Sequence, residues 1–356
     1  MKKTLNKTKI ADFATYIGVV IAFIVMSALM NEGLLTRSMK GQLVPICCYI
    51  VMAVSLNLTV GILGELSLGH AGFMSVGAFT GVVTAMSLQS AIPSDGVRLA
   101  LAIVMGAIFA GIAGTLVGIP VLRLHGDYLA IVTLAFGEII KELINCLIIG
   151  HDENGLHIIF NATGAKTVTD LGLTETGKVL IKGAQGATGT DTIASFTAGF
   201  ILIMVTLVVV LNLARSRSGR AIMALRDNRI AAESVGINVT KYKLMAFVTS
   251  AALAGGAGAL YGLNFSNLVS SKFDFNTSIL ILVFVVLGGL GNMWGSIIAA
   301  AVLTVLPEAL RGFADYRMLI YAIVLIVVML ATNSPQMKAL LSKLVPFGKK
   351  GEKEHA

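Results

Sequence analysis

Residues 97–119 read VRLALAIVMGAIFAGIAGTLVGI, and Arg98 is the one charged residue in this run. A membrane-spanning helix needs roughly 20 consecutive apolar residues, so the run is long enough to cross a bilayer. Seven further apolar blocks cover approximately 12–30, 42–61, 66–88, 128–149, 193–213, 244–262 and 317–332. The sequence therefore predicts an all-α fold, a polytopic transmembrane helical bundle.

Composition supports this class. Of the 356 residues, 56% are hydrophobic and 13% are charged, and that charged share is about half of the share usual in soluble domains. The net charge of +8 comes from basic residues between the apolar blocks, where such residues orient spans, so we expect no nucleic-acid partner. Cys47, Cys48 and Cys146 lie inside apolar blocks, without the His or Cys spacing of a metal site.

The apolar region 276–310 is the ambiguous part of the bundle. Gly288, Gly289, Gly291, Asn292 and Gly295 divide it into pieces of about ten residues each, which are shorter than ordinary spans. The region forms either two short crossings or a re-entrant hairpin, and in both cases the irregular stretch is a candidate lining of a pathway. Together with the eight longer blocks, the prediction is about 10 membrane segments.

Basic residues predict the orientation, because short loops rich in Lys and Arg stay in the cytoplasm. The loop 214–243 contains five arginines and two lysines against two acidic residues, so we assign it to the cytoplasm. The basic segments at the two ends of the chain are assigned to the same side. The start resembles a signal peptide, but its apolar stretch is long enough to span and no A-x-A-like site follows it, so a first transmembrane helix is favoured.

These assignments divide the chain into a cytoplasmic basic N-terminus (1–11), a transmembrane domain (12–332) and a cytoplasmic basic tail (333–356). Within the transmembrane domain, 214–243 is a cytoplasmic loop and 151–192 is an extracytoplasmic one. The outer segment is polar and rich in Gly and Thr. We expect it to be a loop or cap with little core of its own, too small for a catalytic domain.

Small residues recur every four positions in two of the blocks. They are Gly106, Ala110, Gly114 and Gly118 in one block and Ala251, Gly255 and Ala259 in another. On a helix this spacing gives a smooth face that lets a second helix approach closely. The stripes predict tight packing inside the bundle and indicate no particular function.

Two groups of polar residues lie within the apolar blocks, where polar groups usually face protein or water. Glu65, Ser67 and His70 lie in a glycine-rich stretch at the junction of two blocks, and they mark either a site or hinge near a pathway, or the turn of a helical hairpin with His70 satisfied in the core. Glu138 and Glu142 share a helix face with Lys141. They form either an internal ion pair or part of a substrate pathway.

The cytoplasmic loop contains a helical stretch, Gly219–Asn238, that ends in a glycine turn. Ala231, Ala232 and Val235 can form a small apolar face, which suits docking into a groove of another protein. Because the loop is basic, an amphipathic connector held at anionic membrane lipid is the alternative.

Five segments together resemble the permease subunits of bacterial branched-chain amino acid ABC transporters, in particular the LivM type. The segments are GELSLGHAGF (64–73), LRLHGDYLAIVTLAFGEII (122–140), 219–243, LGGLGNMWG (287–295) and LPEALR (306–311). The resemblance covers about residues 57–311 in order. The chain departs from the family mainly at 151–192, which is longer and less rich in proline, and in its additional basic tail.

The resemblance implies a permease that forms half of a translocation pore in the bacterial cytoplasmic membrane. It implies three kinds of partner: a second permease of the LivH type, two ATP-binding subunits of the LivG and LivF types, and an extracytoplasmic substrate-binding protein. Membrane lipid is a further expected partner, because the chain is predicted to span the bilayer. Residues 230–236 correspond to the loop that inserts into an ATP-binding subunit. The residues assigned to this coupling are Arg226, Asp227, Ala231, Ala232, Glu233 and Gly236.

ATP is then bound by partner subunits, and the chain itself is not an enzyme and needs no cofactor. In agreement, the sequence contains no G-x-x-x-x-G-K-[ST] motif. Permeases for urea or short amides share the same motifs and are the nearest alternative. An ion-coupled secondary transporter using Glu138, Glu142 or His70 is a rival from another class. A membrane-embedded enzyme lacks a supporting His, Asp or Ser-His arrangement.

Overall fold

The computed structural model describes residues 2–33, 36–122, 124, 126–152, 155–161, 168–173, 177–310, 316, 319–320 and 322–326. The side chains of residues 2–12, 127, 168 and 169 are not among the described features. The chain divides into two units, Met1–Ala301 and Val302–Ala356. The predicted tail, 333–356, lies outside the described residues, and so does most of the predicted block 317–332.

Helices account for most of the described chain. They are α1 (Lys2–Asn31), α2 (Arg37–Asn57), α3 (His70–Ser87), α4 (Asp95–Val121), α5 (Asp127–Asn145), α6 (Phe196–Arg215), α7 (Arg217–Asp227), α8 (Arg229–Ser234), α9 (Val239–Gly262), α10 (Phe275–Gly288) and α11 (Met293–Ala309). A π-helical segment, Leu58–Leu63, continues α2 without a break.

Among the described residues, five helical stretches are long and apolar enough to cross a membrane. They are Phe13–Asn31, Arg37–Leu63, Asp95–Val121, Phe196–Arg215 and Val239–Gly262. The predicted class, a polytopic helical membrane protein, is confirmed. The count of about ten segments stays a prediction.

Two predicted blocks have different bounds in the structure. α3 begins at His70 rather than at residue 66, because the glycine-rich stretch before it is not helical. α5 ends at Asn145, and the last residues of the predicted block 128–149 belong to a β-strand. Isoleucines at 148 and 149 favour an extended backbone, although by hydropathy alone they extend the apolar block.

The predicted small-residue stripes lie in the core formed by α3, α4 and α9. A side-chain carbon on Gly255 would collide with Ala110 and with the backbone of Gly106. One on Gly114 would lie 2.6 Å from the Cβ of Ala251. The stripes on α4 and α9 therefore pack against each other, and the prediction of a tight helix–helix contact is confirmed.

The prediction that 151–192 is a loop with little core is wrong. The segment contributes to a five-stranded antiparallel sheet with β1 (Leu147–Asp152), β2 (Gly155–Phe160), β3 (Lys178–Lys182), β4 (Ala187–Thr188) and β5 (Asn267–Leu268), in the order β2-β1-β3-β4-β5. Ile148, Ile149, Leu180 and Ile181 are buried and give the sheet an apolar core. Ile148 and Ile149 lie before the segment, in the predicted apolar block 128–149, so the composition of 151–192 alone does not reveal this core.

The sheet is attached to the bundle at several points. β5 lies in the connection between α9 and α10, and Ala187 of β4 pairs with Leu268 of β5. Near the start of α4, the buried guanidinium of Arg98 pairs with Asp95 and lies 3.3 Å from Asp191, which follows β4. The charge of Arg98, inside the apolar block 97–119, is therefore compensated by two carboxylates. We call this end of the bundle the sheet end.

In the glycine-rich region predicted at 276–310, α10 and α11 are joined by a tight turn, and we call the two helices with this turn the glycine hairpin. α10 and α11 contain 14 and 17 residues, more than the predicted ten each. Gly289 and Gly291 have φ of +93° and +80°, so the turn uses a left-handed backbone that glycine adopts most readily. The backbones of Gly288 and Gly295 approach so closely that a side-chain carbon on either would collide with the other helix.

Candidate functional site

The segment predicted to couple to other subunits folds into the two short helices α7 and α8. Three side chains begin the helices here by accepting hydrogen bonds from backbone N–H groups: Ser216 for α7, Asn228 for α8 and Asn238 for α9, each at 3.0 Å. Ser and Asn are favoured at such positions because their oxygens satisfy the first unpaired N–H groups of a helix. We call residues 217–238 the coupling segment, and its end of the bundle the coupling end.

The apolar face of the coupling segment differs from the prediction. Ala232, predicted to be on the docking face, is buried at 4% exposure, against Leu225 and Val239. The exposed apolar side chains are Ile230 and Val235, at 80% and 76%. Residues two positions apart lie on opposite faces of a helix, so within α8 Ile230 points outward while Ala232 points inward.

Charged residues and a glycine turn lie beside Ile230 and Val235, which we call the exposed tip of the coupling segment. Arg229 pairs with Glu233 at 3.4 Å and Arg226 with Asp227 at 3.2 Å, and all four side chains are at least 40% exposed. Exposed pairs of this kind contribute roughly 0–1 kcal/mol to stability, so their charges are available to a partner. Ala231 is exposed beside them, and Gly236 turns the chain with φ of +85°.

Arg226 ties the coupling segment to the end of α2. Its Nη1 donates a hydrogen bond of 2.8 Å to the carbonyl oxygen of Gly61, in the π-helical segment. Its aliphatic stem lies over Gly64, where an added side-chain carbon would be 2.5 Å from Cγ of Arg226. Gly64 also has φ of +81°, so this position suits glycine on two grounds.

A second tie is the ion pair between Lys243, in the first turns of α9, and Glu65. The two side chains are only 5% and 14% exposed. Removing one partner of a buried pair leaves an uncompensated charge and typically costs 3–5 kcal/mol. Glu65, predicted as a pathway or hinge residue, therefore holds the segment after the π-helix against the start of α9.

The π-helical segment is tied in turn to the glycine hairpin. Asn57, fully buried, accepts a hydrogen bond of 2.8 Å from the backbone N–H of Gly291 and donates one of 2.8 Å to Oγ of Ser296. A side-chain carbon on Gly61 would collide with both Asn57 and Gly291. The coupling segment, the π-helix and the hairpin thus form one continuous chain of contacts.

The remaining residues of the predicted 61–73 site lie in the interior. His70 is 2% exposed and its Nε2 is 2.8 Å from Oγ of Ser55. This geometry agrees with the alternative of a histidine satisfied in the core. Ser67 is also buried, and its Oγ has no hydrogen-bond partner among the described residues. Thr133 of α5 accepts a hydrogen bond of 3.1 Å from the backbone N–H of Leu68, which holds the unwound stretch against α5.

The charged residues of α5 lie apart from this chain of contacts. Lys141 forms an ion pair with Glu138 and lies 3.9 Å from Glu142, which agrees with the internal-pair alternative. Glu142 is 65% exposed and accepts a hydrogen bond of 3.1 Å from Asn145. Neither carboxylate approaches His70 or Glu65 closely enough for a described bond.

Sequence reasoning missed two residues and one hydrogen bond of this site. Asn57 is a lone amide inside the apolar block 42–61, and Lys243 is a lone charge at the edge of the block 244–262. Buried polar groups of this kind are expected to have partners, and that expectation was a usable signal. No signal in the sequence predicted the hydrogen bond from Arg226 to Gly61, because it joins residues 165 positions apart.

These contacts join the exposed coupling segment to the interior of the bundle. Among the described residues, no group of three or more His, Cys, Asp or Glu side chains is placed to hold a metal ion. Cys47 and Cys48 are buried in α2. Ile230 and Val235 of the coupling segment are exposed, and Arg226 of the same segment is hydrogen-bonded to the π-helical segment at the end of α2.

Comparison with known proteins gives an independent line of evidence. The family described as "Branched-chain amino acid transport system / permease component" matches residues 38–330. The permease protein LivM of the high-affinity branched-chain amino acid transport system of Escherichia coli is 34% identical over 292 residues, which cover 79% of this chain and 66% of that relative. The chain thus spans just under two thirds of the relative's length.

More distant relatives extend the match. The probable branched-chain amino acid transport permease protein LivM of Methanocaldococcus jannaschii is 25% identical over 277 residues, 69% of this chain and 74% of the relative. LivH, a permease protein of the high-affinity branched-chain amino acid transport system of Salmonella typhimurium, is 22% identical over 289 residues, 79% of this chain and 88% of the relative. No solved structure matches the chain at a significant level.

Proposed function

Because this chain belongs to the family of permease components of branched-chain amino acid transport systems, we propose that it is the membrane-spanning permease of an ABC importer for leucine, isoleucine and valine. It forms half of the translocation pore, and separate subunits bind and hydrolyse ATP. The chain itself catalyses no reaction and needs no cofactor.

One observation carries the coupling role: the exposed tip of Ile230 and Val235 stands on a base that is tied to the bundle interior by Arg226 and by the Lys243–Glu65 pair. A partner that moves this tip also pulls on Gly61 and on the start of α9. ATP-driven movement of the ATP-binding subunits is then passed to α2, α9 and the glycine hairpin as a change between two packed arrangements.

The remaining partners follow from the same proposal. The coupling segment and both termini face the cytoplasm, because their short segments are rich in Lys and Arg. The sheet end then faces outward, where an extracytoplasmic binding protein delivers the amino acid. A second permease completes the pore, in keeping with the similarity to both LivM and LivH relatives.

Ile230→Asp combined with Val235→Asp tests the coupling role. We expect the variant to accumulate normally in the membrane, because both side chains are exposed, but to lose most leucine uptake and leucine-stimulated ATPase activity in proteoliposomes. Arg220→Gln, at an exposed position in the first turn of α7, is the matched control and should retain both activities. Full uptake by the double variant would contradict the docking role of the tip.

Isolation of the unmodified chain from native membranes tests the assembly and the substrate class. We expect two ATP-binding subunits and a second permease to be recovered with it. Reconstituted with its binding protein, the complex should hydrolyse ATP faster with leucine than with urea. Stimulation by urea but not leucine would identify a urea or amide importer, and leucine accumulation by the isolated chain under an ion gradient would contradict an ABC importer.

A further inference from the structure

A cavity of about 220 Å³ lies at the sheet end of the bundle. The end of α3 and the turn after it line one side, and the strands β1 and β3 line the other. The lining residues of the strands belong to the segment 151–192, in which the sequence departs from the family pattern. The cavity is therefore a feature of this chain that membership of the family does not by itself explain.

Part of the cavity wall is apolar, and the volume suits a small molecule. Leu180 of β3 is 3% exposed, and Met86 lines the cavity from the last turn of α3. A cavity of about 150 Å³ admits a benzene molecule, so one of about 220 Å³ has room for a molecule roughly half as large again. A free amino acid of the size of leucine meets this limit.

Lys178 of β3 supplies a positive charge to the cavity. Its described partner is the neutral amide of Gln89, to whose Oε1 its Nζ donates a hydrogen bond of 3.4 Å. Nε2 of Gln89 in turn donates one of 2.8 Å to Asp191, which fixes the orientation of the amide. Because an ammonium group has three donors and the bond to Gln89 is long, Lys178 can also bind a carboxylate. Ser90 lines the same cavity and offers a hydroxyl donor.

β1 supplies a hydrogen-bond acceptor and a negative charge. His151 is the cross-strand neighbour of Lys178, so their side chains lie on one face of the sheet, with Cβ atoms about 5 Å apart. Nδ1 of His151 is buried and has no hydrogen-bond partner among the described residues, which is costly unless a donor reaches it. Asp152, the next residue, has a fully buried carboxylate held by His157 at 3.1 Å. An ammonium group can donate to Nδ1 of a neutral histidine, and its charge is favoured near Asp152.

Together these groups suit a zwitterion with an apolar side chain. A purely anionic ligand leaves Nδ1 of His151 without a donor, and a purely cationic ligand is repelled by Lys178. An α-amino acid carries both charges on neighbouring groups, and Met86 and Leu180 suit an aliphatic side chain. We propose that this cavity binds a free aliphatic amino acid, with its carboxylate at Lys178 and its ammonium group at His151.

This inference rests on the proposed function and adds a step to it. In the proposed orientation the sheet end faces outward, so an amino acid released by the binding protein occupies this cavity before it enters the pathway. Urea carries neither charge and has no aliphatic chain, so we expect the cavity to bind it much more weakly than leucine.

Equilibrium binding of radiolabelled leucine tests the cavity, in the intact complex purified from native membranes and freed of its binding protein. We expect Lys178→Met to weaken leucine binding about tenfold or more, and Lys178→Arg, which keeps the charge, to retain most of the binding. Lys182→Met is the matched control, because Lys182 is exposed on the same strand and does not line the cavity. Isocaproate lacks the ammonium group and leucinamide lacks the carboxylate, so both should compete far less well than valine.

Other outcomes overturn the inference. They are the absence of leucine binding to the unmodified complex, equal binding by Lys178→Met and Lys182→Met, or competition by isocaproate as strong as that by valine. Stimulation of ATP hydrolysis by leucine, measured with the binding protein restored, separates this failure from failure of the proposed function. If leucine stimulates hydrolysis but does not bind to the complex alone, only the cavity is wrong; if no ATP-binding subunits co-purify with the chain, the importer itself is wrong.

Discussion

Two adjoining parts of the bundle are held together by different interactions. Between α4 and α9, Gly106, Ala110 and Gly255 bring the two backbones into van der Waals contact. At the end of α2, the contacts to α7, α9 and the glycine hairpin are instead hydrogen bonds and an ion pair, made by side chains such as Arg226 and Lys243.

The difference indicates which part moves and which stays rigid. Glycine contacts depend on close complementary surfaces and weaken steeply when the helices separate, so we expect α3, α4 and α9 to keep their packing against one another and to move as one body. Long polar side chains can exchange one partner for another as helices shift. The polar region around the π-helix is therefore where we expect rearrangement during transport.

Lys243→Met should have the largest effect on stability. It leaves Glu65 buried without its partner, and we expect a loss of about 3–5 kcal/mol in the free energy of unfolding. Thermal unfolding of the purified protein in detergent measures the change. Lys241→Met is the matched control, because Lys241 is exposed in the same helix turn. Equal melting temperatures for the two variants would show that the ion pair does not hold this region.

Gly255→Ala should have the second-largest effect on stability. We expect a loss of about 1–3 kcal/mol in the free energy of unfolding, because the change overpacks a close contact. The added methyl group collides with Ala110 and with the backbone of Gly106. Gly256→Ala, one position away, is the control, because its nearest neighbour would be 3.6 Å distant. Similar unfolding temperatures for the two alanine variants would mean that the core tolerates separation of α4 and α9.

Arg226→Gln should have the smallest effect on stability, about 1 kcal/mol, because one hydrogen bond from a half-exposed side chain is lost. Its effect on coupling should be larger: uptake per ATP hydrolysed in proteoliposomes is expected to fall several-fold. Arg229→Gln removes only an exposed pair with Glu233 and should leave that ratio near the original. An unchanged ratio in both variants would exclude the link from Arg226 to Gly61 as a coupling contact.

The parts of the fold that could be read from the sequence depend on local patterns. The apolar blocks predict α4, α6 and α9 because each helix must be apolar along its length. The stripes containing Gly114 and Ala251 predict close packing because four-residue spacing places small residues on one helix face. The helical stretch and the turn at Gly236 were also predicted, and the coupling role of this segment stays a prediction.

The features that the sequence did not predict depend on tertiary contacts between separate parts of the chain. Ala232 and Val235 are both small apolar residues in one short stretch, and only the tertiary contact with Leu225 decides that Ala232 is buried. The sheet was missed because its strands are short and β5 lies about 80 residues after β4 in the chain. Pairing between such distant strands leaves no local signal.

The uninterrupted helix α9 has a mechanical consequence. It begins beside the coupling segment at Val239 and ends at Gly262, shortly before β5 of the sheet. At 1.5 Å per residue its 24 residues form a rod about 36 Å long. Since α9 is long and apolar enough to cross a membrane, a rigid shift of this helix moves both of its ends together.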